Sequence, residues 1–350
     1  MTHHCLQSSQ LSKRYPRGER FLKKAFSQFS VLDTITWFGS RGVKLKTEPD
    51  NRMFPISDDS QTIVDCLQQE VEKLGITVLT RYGVRSIKTR KGGFELEVDT
   101  QPTLFYDKVV VCTGGSPKLS GFDWLTQLGH RIQPPVPSLF TFNMPNEPIR
   151  KLMGLSVENA QVKIQGTKLQ YAGPLLVTHW GMRGPAVLKL SAWGARHLNE
   201  LNYQFGIQVN WTGGMKEQDI RAVMDEHLLV NRKAKILNRR LLGLPTRLWE
   251  FLIRKIEIRE NITWGEMGNK GINRLVNILI NDTYSVKGKT TFKEEFVTCG
   301  GVDLTEVDPK TMESKLVPGL YFAGEVLDID GITGGFNFQA AWTTGYVAGK

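Results

Sequence analysis

Cysteine is scarce in this 350-residue sequence, and its spacing excludes one kind of site. The four cysteines, at positions 5, 66, 112 and 299, are scattered and include no CxxC pair. A closely spaced redox dithiol is therefore excluded, and the pattern fits a reducing compartment.

Long apolar runs are absent as well. No segment approaches the roughly 18 uninterrupted apolar residues of a membrane span, and the N-terminal stretch lacks the apolar run of an export signal. Hydrophobic residues make up 40% of the chain and charged residues 23%, which is ordinary for a soluble globular protein. We therefore expect a cytoplasmic protein without a membrane partner.

Acidic residues are too few to balance the basic ones. The net charge is +10, from 45 Lys and Arg against 35 Asp and Glu, and residues 231–255 hold eight basic residues but the single acid Glu250. Leucines interleave there at helical spacing: Leu241, Leu244, Leu248 and Leu252. This favours a solvated basic helix face above an apolar face. A nucleic-acid partner is the alternative, and it is disfavoured because no recognisable binding module accompanies the charge.

The composition and pattern of the sequence change near residue 136. A chain of this length exceeds the roughly 250–300 residues at which single cores stop growing. A proline-rich stretch begins at Pro134, short extended runs follow to about residue 211, and residues 215–281 are helical by pattern. The sequence therefore predicts an α/β protein with a second domain that is first β and then helical.

Local signals predict the elements of the first 112 residues. Ser57 is a suitable N-cap for an amphipathic helix that ends at Gly75. Strands are predicted over ITVLTRYGV, RSIKTR, FELEVD and FYDKVVVC, residues 76–112. His3, His4 and Cys5 are interpreted as a frayed terminus and not as a metal site.

The segment KVVVCTGG ends a β-branched strand on Thr113, Gly114 and Gly115. Paired glycines at this point let the backbone pass close to a ligand and leave amide groups free to face it. A tight turn needs glycines too, so both interpretations stay open.

The C-terminal stretch GLYFAGEVLDIDGITGGFNFQAAWTTG combines more features. A strand is followed by Gly324, which allows close approach, and by Glu325, whose carboxylate suits ribose or ribityl hydroxyls. The turn that follows contains Gly331, Thr333, Gly334 and Gly335. It leads into a helix with a stripe of small residues, whose N-terminal amides attract a phosphate or an electron-rich ring edge. The alternative is a plain strand-turn-helix with close packing.

Several apparent motifs fail on spacing. DIDG at 328–331 resembles a calcium loop but lacks ligands at the later positions, and GKT at 288–290 lacks the first glycine of a P-loop. His179, in THWGMRGP, is interpreted first as a structural hydrogen-bonding residue. No metal site is predicted.

No strand leads into GxGxxG anywhere in the sequence, although a dinucleotide-binding fold requires this turn after its first strand. The sequence therefore contains the C-terminal segment of a predicted cofactor site but not the GxGxxG motif that usually accompanies it.

With these residues in hand, the chain resembles the YhiN/BaiN-like family of flavoproteins, described as NAD(P)/FAD-dependent oxidoreductases and in part as aminoacetone oxidases. The resemblance covers nearly the whole chain. It includes YPR at 15–17, RMFPIS at 52–57, VVVCTGGSPK, LLVTHWGMRGPAVLKLS and the block from Cys299 to Gly345.

The resemblance implies a discontinuous FAD-binding Rossmann-like domain, over residues 1–135 and 294–350, with a β and helical insertion over 136–293. It further implies that Gly114 and Gly115 approach FAD and that Gly324 and Glu325 meet its sugar or ribityl portion. Residues Gly334, Gly335, Phe336 and Asn337 would border the flavin.

This chain departs from the family pattern at two places. Family members begin with the GxGxxG unit, whereas this sequence begins at MTHH, and Arg183 stands where the family pattern has serine. We therefore expect a truncated form that binds FAD weakly or not at all, because lost hydrogen bonds to a pyrophosphate cost roughly 1.5–3 kcal/mol each.

The resulting expectation is an FAD-dependent oxidoreductase that acts on a small organic substrate with NAD(P)H as a possible reductant. No residue is indicated as acid or base; His179 and Arg52 are candidates only. The alternative is a cofactor-free remnant that binds an acidic partner through its basic helical insert. The sequence leaves the oligomeric state open.

Overall fold

The computed structural model describes residues 1–290 and 297–350. These residues form 17 strands: β1 (Thr2–His3), β2 (Leu45–Thr47), β3 (Arg52–Pro55), β4 (Val84–Arg90), β5 (Gly93–Val98), β6 (Leu104–Tyr106), β7 (Val109–Val111), β8 (Ile132–Ser138), β9 (Thr141–Asn143), β10 (Ser156–Ile164), β11 (Gln170–Val177), β12 (Gly181–Arg183), β13 (Gln204–Asn210), β14 (Asp282–Lys287), β15 (Lys289–Thr290), β16 (Val297–Val302) and β17 (Leu320–Phe322).

The same residues form 11 α-helices: α1 (Ser8–Leu11), α2 (Glu19–Ala25), α3 (Val31–Gly39), α4 (Gln61–Lys73), α5 (Asp123–Gln127), α6 (Pro185–Trp193), α7 (Ala195–Glu200), α8 (Glu217–Asn231), α9 (Thr246–Lys255), α10 (Gly268–Ile280) and α11 (Phe336–Ala348). The predicted α/β class is confirmed.

The chain separates into two compact units. Unit 1 consists of residues 1–137 and 297–350, and the described part of unit 2 consists of residues 138–290. The predicted boundary between residues 293 and 294 lies outside the described residues, so the domain limits stay a prediction.

Unit 1 contains several small sheets. Two are antiparallel and three-stranded, with orders β1-β3-β2 and β4-β5-β6, and β16 pairs with β8. The pair that matters for the site is β7 with β17, which run parallel with Val111 opposite Phe322. Parallel neighbours end at the same sheet edge, so the loops that follow them start side by side.

Unit 2 is built on one seven-stranded antiparallel sheet with the order β14-β13-β10-β11-β12-β9-β15. Along β10, Ala160, Val162 and Ile164 are fully buried while Gln161 and Lys163 are half-buried, which is the alternation of a strand with one core face. Helices α8 to α10 share that core, which contains three buried tryptophans: Trp211, Trp249 and Trp264.

The N-terminus is ordered, so the prediction of a frayed terminus is wrong. Thr2 pairs with Met53 across β1 and β3, and the Thr2 hydroxyl donates to Gln339 Oε1 at 2.6 Å. The His3 ring stacks on Phe336 with a centroid separation of 4.6 Å. Backbone pairing and stacking hold this segment in place.

Helix α4 begins later than predicted. Asp58 has a left-handed backbone (φ 55°), which a continuing helix does not allow, so Ser57 is not the N-cap. Gly75 does end the helix: its amide donates to Glu72 O, and the amide of Ile76 donates to Val71 O. The predicted strand over residues 76–83 is absent from the described residues, and β4 begins at Val84.

The basic stretch of unit 2 is not one helix. Leu242 and Gly243 both have positive φ, and α9 begins only at Thr246. The burial of the four leucines is nevertheless as predicted, since each is at most 3% exposed: Leu241, Leu244, Leu248 and Leu252. The helix is therefore interrupted before Thr246, although the four leucine side chains lie in the core.

Candidate cofactor site

The carboxyl ends of β7 and β17 form the centre of the candidate site. The amide of Ala323 donates to Val111 O at 3.0 Å, which continues the parallel pairing past β17. The predicted segments Thr113–Gly115 and Gly324–Glu325 therefore leave adjacent strands at one edge. In open α/β sheets, ligands bind in the crevice at this edge.

Gly115, Thr298 and Glu325 converge there. The Glu325 carboxylate accepts a hydrogen bond from the Thr298 amide at 2.6 Å. A Cβ on Gly115 would lie 2.3 Å from Thr298 Oγ1 and 3.4 Å from the Glu325 carboxyl carbon. Only glycine fits at position 115 without displacing a neighbour.

Thr298 was not among the predicted site residues. It lies in β16, fully buried, and its hydroxyl has no hydrogen-bond partner among the described residues. The C-terminal segment that carries the family resemblance begins at Cys299, the residue after Thr298. The signal that could have found Thr298 is a hydroxyl residue immediately before a Cys-Gly-Gly run in a strand.

Burial raises the pKa of the Glu325 carboxyl above its ordinary value, and the nearby negative charge of Asp330 raises this pKa further. The hydrogen bond from the Thr298 amide favours the ionised form and acts in the opposite direction. The net effect is a pKa of the Glu325 carboxyl above its ordinary value.

Gly324 lies against α11. Its backbone is left-handed (φ 74°), and its amide donates to the Thr344 hydroxyl at 2.9 Å. A Cβ at this position would be 3.8 Å from Ala341 Cβ. The predicted stripe of small residues on α11 thus packs beside the end of β17.

The glycine-rich turn before α11 is closed by Asn337. The Asn337 side chain accepts from the Gly331 amide at 2.7 Å and donates to the Gly331 carbonyl at 3.1 Å. Gly335, with φ of 90°, is the N-cap of α11, and a Cβ on it would lie 2.5 Å from Thr2 O. Thr333 and Gly334 are half-buried beside it.

Phe336 is a buried packing residue in this arrangement. It is 3% exposed, and the Tyr15 hydroxyl donates to its carbonyl at 2.7 Å. The prediction that Phe336 and Asn337 border a flavin is not tested by these contacts and stays a prediction.

The contacts of the two catalytic candidates are local ones. Arg52 forms a half-exposed ion pair with Asp50, with 2.6 Å between Nε and Oδ2. His179 belongs to unit 2, in the exposed turn between β11 and β12, where its carbonyl accepts from Arg150 Nε at 2.7 Å. Neither role in catalysis gains support from these contacts.

Comparison with known proteins identifies the family. A model described as HI0933-like protein Rossmann domain matches residues 1–350. The chain belongs to this family. The resemblance to the YhiN/BaiN-like flavoproteins is thereby confirmed.

Curated relatives match over nearly the same length. The chain is 27% identical over 339 residues to a 3-dehydro-bile acid delta(4,6)-reductase of Clostridium scindens, which covers 94% of this chain and 82% of that protein. It is 29% identical over 344 residues to a ribosomal RNA dihydrouridine synthase of Escherichia coli, with 95% and 82% covered. A protein of the same description from Haemophilus influenzae is also 29% identical over 344 residues, with 94% and 82% covered.

The residues at the edge of β7 and β17 fit a cofactor that carries hydroxyl groups. The Glu325 carboxylate has lone pairs beyond the one that the Thr298 amide occupies. Open space faces the Cα of Gly114, where a Cβ would meet nothing within 4 Å. The buried Thr298 hydroxyl lies beside both segments without a partner among the described residues.

Within the described residues, no group of three or more His, Cys, Asp and Glu side chains is arranged to hold a metal ion. No helix of residues 1–290 and 297–350 has the length and apolar character to cross a membrane.

Proposed function

We propose that this chain is an FAD-dependent oxidoreductase that holds FAD at the carboxyl ends of β7 and β17. The observation that carries the proposal is the convergence of Gly115, Thr298 and Glu325 at that edge. The family assignment and the reductase relative support an oxidoreductase of this general kind.

Each segment has a defined role in this proposal. The half-buried Glu325 carboxylate accepts hydrogen bonds from ribose or ribityl hydroxyls, as an ionised acceptor can. Gly114 and Gly324 allow the cofactor to approach the backbone, since a side chain is absent at both. The amides at the start of α11 contribute positive potential toward a phosphate or a ring edge.

The relatives' names suggest the class of reaction. Dihydrouridine contains two more hydrogens than uridine at a ring double bond, and a delta(4,6)-reductase is named for the reduction of ring double bonds. We propose reduction of a conjugated carbon–carbon double bond for this chain as well. FAD, when bound, supplies hydride transfer between NAD(P)H, which is oxidised, and the double bond, which gains one hydride and one proton.

A small organic substrate is the first candidate. An RNA substrate is the second, because the positive charge of the chain is concentrated in unit 2. Residues 138–290 carry 22 Lys and Arg against 12 Asp and Glu, whereas unit 1 carries 22 against 21.

Four exposed cations of unit 2 support the RNA candidate further. They lie between the end of α8 and the start of α9: Arg232, Lys233, Lys235 and Arg239. Within the described part of the chain none of the four forms a salt bridge with an acid. We call these four residues the basic loop. Unpaired surface cations on a loop suit phosphate contacts.

The proposal is tested by following reduction of the flavin without oxygen. The protein, saturated with FAD, is mixed with NADH or NADPH, and then with an α,β-unsaturated ketone or a uridine-containing RNA. We expect one nicotinamide to bleach the flavin absorbance and one acceptor class to restore it. Absence of bleaching with both nicotinamides would contradict the proposed reductant.

Glu325→Gln and Glu313→Gln form a matched pair for the same assay. Each residue is a half-buried glutamate of unit 1 that accepts a backbone amide, from Thr298 at 2.6 Å and from Gly319 at 2.8 Å. Since a hydrogen bond to a charged group is worth about 1.5–3 kcal/mol, Glu325→Gln should weaken FAD binding roughly tenfold to a hundredfold. Glu313→Gln should leave it unchanged.

A further inference from the structure

We propose that Arg17 is a positioning residue of the candidate cofactor site, which fixes the glycine-rich turn, residues 328–335, by its ion pair with Asp330. The proposal rests on the proposed function, because it assigns that turn to the cofactor. It concerns a residue that the cofactor interpretation of the sequence did not include.

The Arg17 guanidinium makes a bidentate contact with the Asp330 carboxylate, through Nε to Oδ1 and through Nη2 to Oδ2. The Asp330 side chain is fully buried, and the Arg17 side chain is 14% exposed. A buried carboxylate is costly unless it is paired and hydrogen-bonded. The two residues also form an isolated antiparallel bridge, so backbone and side chain both hold the turn.

Residues next to Arg17 reinforce the same contact. The Ile332 amide donates to the Arg14 carbonyl at 2.9 Å, on the far side of Asp330. The Tyr15 ring lies against Gly331, where a Cβ would come within 3.1 Å of it. The Tyr15 hydroxyl donates to the carbonyl of Phe336, the first residue of α11. Residues 14–17 therefore contact the middle of the turn, residues 330–332, and the first residue of α11.

Arg17 also pairs with the carboxylate whose charge acts on Glu325. The negative charge of Asp330 raises the pKa of the Glu325 carboxyl. The guanidinium of Arg17 offsets this charge at contact distance. Loss of Arg17 would both release the turn and leave Glu325 facing an uncompensated carboxylate.

A purely structural role predicts something different. If Arg17 only stabilised unit 1, its loss would lower stability throughout that unit and leave the folded fraction with the same affinity for FAD. A positioning role predicts a local change in the turn and a loss of affinity in protein that is still folded.

The test is hydrogen exchange on the unliganded full chain, followed by FAD titration, for Arg17→Gln and a matched control. The control is Arg41→Gln, which removes another arginine of unit 1 from a carboxylate, Glu70, at 2.8 Å. Because Arg17→Gln leaves a buried carboxylate and could fail to fold, Arg17→Lys is measured beside it, since it keeps the charge but loses the bidentate geometry.

We expect faster exchange of the amides of residues 328–337 in Arg17→Gln and, to a smaller extent, in Arg17→Lys, but not in Arg41→Gln. The dissociation constant of FAD should rise about tenfold or more in Arg17→Gln, the order seen when supporting groups behind a ligand are lost. Unchanged exchange in this turn, or a changed turn with unchanged FAD affinity, would overturn the proposal.

The two proposals can fail separately. If the unaltered chain binds no FAD but the Arg17 variants still loosen the turn locally, the positioning of the turn is supported and the proposed function fails. If the unaltered chain binds FAD and the turn is unaffected, the proposed function stands and the role of Arg17 is wrong.

Discussion

The two units carry almost equal numbers of basic residues, and they differ in their acids. Unit 1 has 22 Lys and Arg and 21 Asp and Glu, whereas residues 138–290 of unit 2 have 22 and 12. Two acids of unit 1 make specific contacts at the candidate site. The fully buried side chain of Asp330 pairs with Arg17, and Glu325 accepts a hydrogen bond from the Thr298 amide.

The difference separates two tasks in the chain. Geometry suited to a cofactor lies in unit 1, and the surplus of positive charge lies in unit 2. Mutations that remove charge from unit 2 should therefore leave cofactor binding intact, and mutations at Glu325 should leave polyanion binding intact. A variant of one unit that alters the binding expected of the other unit would contradict this separation.

The largest effect is expected from neutralising the basic loop. In Arg232→Gln, Lys233→Gln, Lys235→Gln and Arg239→Gln combined, the slope of log affinity for RNA against log salt should fall by about 3 to 4, since each phosphate contact contributes slightly less than one. Filter binding over a range of salt concentrations measures it, and the affinity for FAD should not change.

The control for the basic loop removes four exposed cations from unit 1 instead: Arg20, Lys23, Lys24 and Lys91. Their replacement by glutamine should change the salt slope by much less. An equal change in both quadruple variants would show that only net charge matters and that unit 2 has no special role.

A steric change at Gly115 should have the next largest effect. Gly115→Ala places a methyl group 2.3 Å from Thr298 Oγ1 and 2.7 Å from Thr298 Cβ. Forced displacement of this kind costs about 1–3 kcal/mol of unfolding free energy, and FAD binding should weaken with it. Urea denaturation monitored by circular dichroism gives the stability.

Gly39→Ala is the matched control for that change. Gly39 ends α3 in unit 1, and a Cβ on it would meet nothing within 4 Å. Its stability should be unchanged or up to about 1 kcal/mol higher, because alanine restricts the unfolded chain. Equal destabilisation by both substitutions would mean that Gly115 is not specially constrained.

The pH dependence of FAD binding should show a smaller effect. The pKa of Glu325 in the folded protein lies above its ordinary value, so the carboxylate takes up a proton as the pH falls through that raised pKa. Since the ionised form accepts the cofactor hydroxyls, the dissociation constant should rise by up to about tenfold per pH unit below it. Glu325→Gln should flatten this profile.

Without FAD, the sign of the pH effect on stability is opposite. A carboxyl whose folded pKa is raised stabilises the fold below the unfolded pKa, and this contribution is lost as the pH rises through the folded pKa. If Glu325→Gln left the pH profile of FAD binding unchanged, the group that titrates would be another one.

Local sequence patterns predicted the elements around the candidate site because these elements are contiguous. Strand β17, Gly324, Glu325, the glycine turn and α11 follow one another within residues 320–348, and each has its own local signal. Strand β7, which precedes Thr113, was predicted in the same way.

Contacts distant in sequence were not predictable in this way. Thr298 meets Gly115 from another strand, and Arg17 meets Asp330 across 313 positions. The N-terminal strand looked frayed because its two residues have no local pattern; it is held by Met53 and Gln339, far along the chain. The continuous helix face predicted for the basic stretch was wrong because Gly243 and Pro245 interrupt it, although its leucines are buried as predicted.

The most direct test of the central claim is a titration of the purified 350-residue chain with FAD, followed by flavin fluorescence, beside Glu325→Gln and Glu313→Gln. We expect the titration to saturate at one site. Its midpoint should lie at a higher FAD concentration in Glu325→Gln and should be unchanged in Glu313→Gln. No saturation in any of the three proteins, or the same curve for all three, would contradict it.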